Sequence, residues 1–310
     1  MEIEKNSFWG RLLDIALKSP VRIILPECQD SRIKNASKKL CDLGFDVIDN
    51  SQLEEYRKKY IDLISKKKFT NNWSSNMIND FLDSNLNISL AALDNGDVDC
   101  LVAGATMPTS EVLRSSIRIV GVNKESKWIS SAFFMMSPNN KRRYTYADCG
   151  VIPDPNSEQL CNIAFEASKL HKLLNNEEPN IAFLSFSTKN SAEHYKVKKV
   201  QQALKIFKEK YPFIKADGEI QFDVAINKDI YKKKVGLNKS DQGYNVFIFP
   251  DLDSGNIAYK ITQHLANFKA LGPLLMGLSK PIHDLSRGCN IDDIVYISII
   301  AAIQKNINSQ

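Results

Sequence analysis

No stretch of this 310-residue chain is apolar for long enough to span a membrane. The longest, IVYISIIAAI at residues 294–303, reaches about half of what a bilayer crossing needs. The opening residues MEIEKNSFWG put an acid at position 2 and contain no apolar core, which argues against a secretory signal. Cysteines number only 6, lie far apart and never form C-x-x-C. Without a signal they are expected as free thiols in a reducing cytoplasm. The 4 histidines never sit at zinc-ligand spacing with cysteine, and no Ser/His/Asp set can be ordered. Charge of one sign is also lacking: 41 Lys plus Arg against 36 acids leave +5, too small and too scattered for a nucleic-acid-binding face. Neither G-x-x-x-x-G-K-[ST] nor G-x-G-x-x-G occurs, which excludes an NTPase phosphate loop and argues against a dinucleotide-binding Rossmann half.

What remains is a 43% hydrophobic, 25% charged chain with apolar content for one large domain or two medium ones. Short β-branched runs at 21–27, 98–105, 128–136, 180–187 and 245–251 read as strands buried on both faces. Helical patterns separate them, from Asp30-Ser31 onward and near 53–67, 109–118, 157–174, 196–210 and 256–267. Strands alternating with helices predict α/β layering with mainly parallel sheets. DCGVIPDP at 148–155 holds two prolines and a glycine, the best candidate for a domain junction. A second change of regime begins at Gly272-Pro273. The expected division is a discontinuous first domain, 1–147 plus 286–310, and a second domain, 148–285.

Three segments could carry chemistry. In KPIHDLSRGCNIDDIV, residues 280–295, Ser286, Arg287 and Gly288 precede a helix whose first turn carries Asp292 and Asp293. A helix N-terminus and an Arg fork both suit a phosphate. A structural account fits the same residues: Asn290 as N-cap and Asp293 as the acid of a capping box. FSTKNSA, residues 186–192, places Ser187, Thr188, Lys189 and Ser191 at the carboxyl end of a strand, where open α/β sheets bind ligands, although an ordinary polar loop reads the same. Arg114 and Arg118 follow GATMPTS on one helix and serve as an anion clamp or as solvated charges.

Taken together, ILPECQDSRIKNAS, DCLVAGATMPTSEVLRSSIRI, ADCGVIPDPNSEQLCNIA, FLSFSTKNSA, DGEIQFDVAI, FIFPDLDSGNIAYK and GPLLMGLSKPIHDLSRGCNIDDIV resemble phosphate acetyltransferases (phosphotransacetylases) over nearly the full length. The resemblance is to the short, single-module form. It implies reversible acetyl transfer between coenzyme A and phosphate by direct attack in a ternary complex, without cofactor or metal. It further implies two α/β domains of the isocitrate/isopropylmalate-dehydrogenase-like type with an active-site cleft between them, and a cytoplasmic homodimer without nucleic-acid or membrane partners.

The family pattern gives Ser286 the role of transition-state stabiliser, Arg287 that of phosphate binder and Asp293 that of base for the CoA thiol. Gly288 belongs to the same motif. Arg114 falls on a substrate-binding position and Arg57, in a poorly matching stretch, on a contact to the CoA end, while Ser187, Thr188 and Lys189 stand as substrate-binding candidates by their place after a strand. Departures from the pattern are Cys28, Phe222, His264 and His283. Cys289 adjoins the motif, yet the resemblance assigns it no role. A butyryl-preferring relative and a non-catalytic CoA-binding relative are the alternatives, and the intact DLSRG motif argues against both.

Overall fold

A computed structural model describes residues 3–236 and 243–308. In chain order the elements begin α1 (Phe8–Ala16), β1 (Arg22–Ile24), α2 (Ser31–Asp42), β2 (Asp46–Ile48), α3 (Arg57–Ser65), α4 (Ser75–Phe81), α5 (Asn85–Asn95), β3 (Cys100–Ala103) and α6 (Thr109–Ile119). There follow β4 (Ser130–Met136), β5 (Arg143–Ala147), α7 (Ser157–Asn175), β6 (Asn180–Leu184), α8 (Tyr195–Lys210), β7 (Lys215–Ile220), α9 (Phe222–Ile226) and α10 (Lys228–Val235). The chain ends with β8 (Val246–Ile248), α11 (Leu252–Leu265), β9 (Lys269–Met276), β10 (Ile282–Asp284) and α12 (Ile291–Asn308).

The chain divides into two compact units, one of residues 1–127 and 278–310, the other of 128–277. The first holds a four-stranded, all-parallel sheet in the order β10-β3-β1-β2. Its α2 is capped by Asp30, whose side chain accepts from the Arg32 N–H, and buries Ile33, Ala36 and Leu40 along one face. The apolar run 294–303 is a core helix: α12 packs against α1, α2 and β3, and Tyr296 stacks on Trp9 at 3.8 Å. Such all-round burial explains a helix that is apolar on every side. No helix among the described residues is long and apolar enough to cross a membrane.

The second unit is built on a six-stranded sheet, order β7-β6-β8-β5-β4-β9. Its first four strands are parallel, while β4 runs antiparallel to both β5 and β9. Every residue of β4 is buried, which matches its unbroken apolar character. A capping box, Asn156 with Gln159, opens α7.

The α/β class with mainly parallel sheets follows the sequence reading, and the five anticipated strands contain β1, β3, β4, β6 and β8. The unit boundaries differ from those read off the sequence. The Pro-rich turn after Ala147 lies inside the second unit, because β4 and β5 pair with β9 and β8 in its sheet. At the other crossing, β10 belongs with the first unit because it pairs with β3. Helix α11 begins earlier than expected, at Leu252, where Asp251 accepts from the Ser254 N–H.

Candidate functional site

Three parallel strands, β1, β3 and β10, deliver loops to the carboxyl edge of the first unit's sheet, where open α/β sheets hold ligands. After β10 come Leu285 and the exposed Ser286, Arg287 and Gly288, then α12. The Arg287 guanidinium has no hydrogen bond or ion pair among the described residues, while its carbonyl is held by Arg32. Ser286 Oγ accepts from the Gly288 N–H at 3.3 Å, a long contact that leaves the hydroxyl proton available to a ligand. The start of α12 is capped reciprocally: Asn290 Oδ1 accepts from the Asp293 N–H at 2.9 Å, and Asp293 Oδ2 from the Asn290 N–H at 3.1 Å. Asp293 therefore fills the capping role, and it does so at the very helix end where an anion would sit.

Arg114 projects from α6, exposed and without a hydrogen bond or ion pair among the described residues. Arg118, on the same helix, lies over the Phe69 ring at 6.0 Å. Arg57 is engaged within the unit: it pairs with Glu54 at 2.6 Å and Asp83 at 3.0 Å and donates to both oxygens of Asn79. A CoA contact through Arg57 would have to compete with these partners.

Ser187, Thr188 and Lys189 belong to the second unit, where they tie the β6 loop to β7. Ser187 Oγ donates to Glu219 at 3.0 Å, Thr188 Oγ1 to Gln221 at 3.2 Å, and Lys189 pairs with Asp217 and donates to the Gly218 carbonyl. Burial opposes ionisation of Asp217, yet the Lys189 ammonium holds its carboxyl below the usual range. Ser187 and Thr188 are buried, so these side chains act first as loop anchors.

The residues that organise the first unit's edge are ones that sequence reasoning did not single out. The buried Glu27 carboxylate, just past β1, accepts from the N–H groups of Ala105 at 2.8 Å, Thr106 at 2.6 Å and Met107 at 2.8 Å, and from Thr106 Oγ1 at 2.8 Å. Arg32 donates to the carbonyls of Ala105 at 2.9 Å, Arg287 at 2.7 Å and Cys289 at 3.0 Å while pairing with Asp30 at 2.7 Å. Asp284, at the end of β10, is fully buried and accepts from Thr109 Oγ1; its Oδ1 has no hydrogen-bond partner among the described residues. Burial first, and the nearby Glu27 charge in addition, push its carboxyl up to about 7, against the opposing Thr109 hydrogen bond. The one signal available in sequence was position: Glu27 and Asp284 are polar and lie at or within three residues of a strand's carboxyl end, and Arg32 lies in the first turn of the helix that follows β1.

The departures from the family pattern fall outside Ser286, Arg287 and Asp293. His283 is buried on β10, and burial pushes its imidazole down to about 4. Cys28 Sγ accepts from Asn85 Nδ2 at 3.7 Å, Phe222 leans on Phe247 at 5.4 Å, and His264 is exposed near the end of α11. Cys289 is buried and its thiol pushed up to about 11, mainly by that burial, which leaves little thiolate at neutral pH.

The family of phosphate acetyl/butaryl transferases matches residues 42–302. A phosphate acetyltransferase of Acetivibrio thermocellus is 34% identical, with 96% of this chain and 98% of that one covered. One from Thermoanaerobacterium thermosaccharolyticum is 36% identical over 94% of this chain and 90% of its own. The crystal structure of a phosphotransacetylase from Streptococcus pyogenes superposes with a TM-score of 0.85 at 30% identity, covering 98% of this chain and 100% of that one. A branched-chain phosphotransacylase from Enterococcus faecalis, 16% identical with a TM-score of 0.66, shares the fold. With the family pattern spanning most of its length and these relatives covering nearly all of it, the chain belongs to the phosphate acetyl/butaryl transferase family.

Proposed function

We propose that this chain is a phosphate acetyltransferase, catalysing acetyl-CoA plus phosphate to acetyl phosphate plus CoA, reversibly and by direct attack. The observation that carries the reading is the exposed Arg287 guanidinium, unpaired among the described residues, beside Ser286 on a loop whose backbone is pinned by Arg32. Arg287 offers a planar fork to phosphate oxygens, and Arg114 offers a second free cation on the same unit. A phosphate oxygen forms a bond to the acetyl carbonyl carbon; the carbon–sulfur bond then breaks, and CoA leaves as thiolate. Ser286 donates to the carbonyl oxygen as charge develops there, an effect worth about 3 kcal/mol.

Asp293 is the proton carrier for the CoA sulfur in this reading. A carboxyl near about 3.9 and a thiol near about 8.5 are mismatched by roughly 6 kcal/mol in water. The nearby Arg287 cation favours the thiolate and narrows that gap. The reaction exchanges an acyl group between two bound substrates and changes no oxidation state, so we assign it no cofactor.

The cytoplasm is the compartment we assign, and the free state of all six cysteines supports it. A homodimer is the assembly, supported by an exposed apolar row on α11: Ile257, Ile261 and Leu265 are 56%, 53% and 80% exposed.

The test is release of CoA thiol from acetyl-, propionyl- and butyryl-CoA with and without phosphate. Phosphate-dependent release that is fastest with acetyl-CoA is expected. Preference for butyryl-CoA would make the chain a butyryltransferase, and release from none of the three would leave a CoA-binding relative without activity.

A further inference from the structure

The connection after β1 and the first turn of α2 grip the loop after β3 from both sides. On one side Glu27 gathers three consecutive amide N–H groups, those of Ala105, Thr106 and Met107, together with the Thr106 hydroxyl. On the other side Arg32 takes the Ala105 carbonyl, and through the same guanidinium the Arg287 and Cys289 carbonyls. Successive amides converging in this way form a concave anion-binding nest. At the carboxyl edge of a parallel sheet, directly before a helix, such a nest ordinarily meets a ligand phosphate. Here the chain's own carboxylate occupies it, and Glu27 has no ion pair among the described residues. Helix α6 starts two residues beyond Met107, its first residue Thr109 is tied to Asp284 of β10, and it carries the free Arg114.

We propose that Glu27 is a positioning residue of the transferase site: filling the nest fixes the 104–108 loop, and through it sets α6 and Arg114 in register with the Ser286-Arg287 loop. This inference rests on the proposed transferase function. It also accounts for where the substrate anion does not bind, since the nest after β3 is closed to it. With the carboxylate removed, three amides lose their acceptor at once, the loop gains freedom, and a small external carboxylate can take the vacant place. Nothing in the family pattern assigned Glu27 a role.

The experiment compares wild type, Glu27→Ala and Glu27→Gln at a temperature well below their melting points, with and without formate as probe. Glu27→Ala is expected to fold and to lose at least about tenfold in kcat/KM for acetyl-CoA and phosphate, mostly through KM. Formate should restore part of that loss and leave the wild type unstimulated. Glu27→Gln places amide protons against the nest and should be impaired without formate rescue, since the position is filled. Should Glu27→Ala fail to fold, the Gln variant carries the test through its KM. Full activity in a folded Glu27→Gln protein overturns the proposal, as does a Glu27→Ala loss that formate does not lessen. A wild-type protein with no phosphate-dependent CoA release overturns the transferase reading itself, an outcome distinct from either.

Discussion

Asp293 serves two accounts at once, and the structure shows one of them in place: its carboxylate and Asn290 cap α12 reciprocally. As a cap alone, it should tolerate Asn, which can still accept from the Asn290 N–H at a cost of about 1 kcal/mol or less. As the proton carrier it should not, because an amide takes no proton at neutral pH. Asp293→Asn is therefore expected to keep its melting temperature and to lose about a hundredfold or more in kcat, with partial recovery at higher pH as free thiolate accumulates. Normal turnover in the folded variant would return Asp293 to capping. His283 offers a second residue-level test. Burial lowers its imidazole to about 4, against a hydrogen bond to the Gln304 side chain that acts the other way. Its contribution to stability is whole above about pH 6.5, and is lost as pH falls toward about 4, because the unfolded chain then binds a proton that the native one refuses. Integrated over that window the loss is about 3 kcal/mol. Asp284 works in the opposite sense. Its carboxyl, raised to about 7, stabilises the native state below about pH 4, and that contribution is lost as pH rises through about 7. Urea unfolding of His283→Asn should thus lose the acid-side decline relative to wild type, and an unchanged slope would sink the assignment.

Elements were read with uneven success, for a physical reason. The strands β1, β3, β4, β6 and β8 are buried on both faces, and continuous apolar runs announced them. The strands not anticipated carry weaker patterns: β2 has three residues with partial exposure, β5 reads RYTYA, β7 and β9 contain glycine, and β10 is the short, largely polar IHD. Their pairing partners, rather than their own composition, make them strands. The seam between β3 and β10 shows how tightly such pairing is set. Gly104 has φ +100° and a Cβ there would strike Asp284 Oδ1 and lie 2.7 Å from the Leu285 nitrogen. Gly104→Ala is expected to cost about 2 kcal/mol or more through backbone strain and collision in the closely packed seam. Chemical denaturation measures this, and a stability within about 0.5 kcal/mol of wild type would show that the seam can yield.

For the whole molecule, direct transfer between two bound substrates predicts that activity survives exhaustive treatment with EDTA; a loss restored by a divalent ion would show that a metal takes part. The sequence by itself determined the α/β class, the helix cap at Asn290, and, through its motifs, the family. Each of these depends on residues close together in sequence: hydrophobic period, capping chemistry and motif spacing. Only the tertiary structure decided which unit owns β4, β5 and β10, that Arg57 is consumed by Glu54, Asp83 and Asn79, and that the Arg287 guanidinium has no partner among the described residues. It alone revealed Glu27 holding amides 78 to 80 residues away and Arg32 holding carbonyls 255 and 257 residues away. Contacts at such separations leave no local periodicity to read, because strand pairing and loop convergence, not neighbouring residues, bring the partners within hydrogen-bond reach.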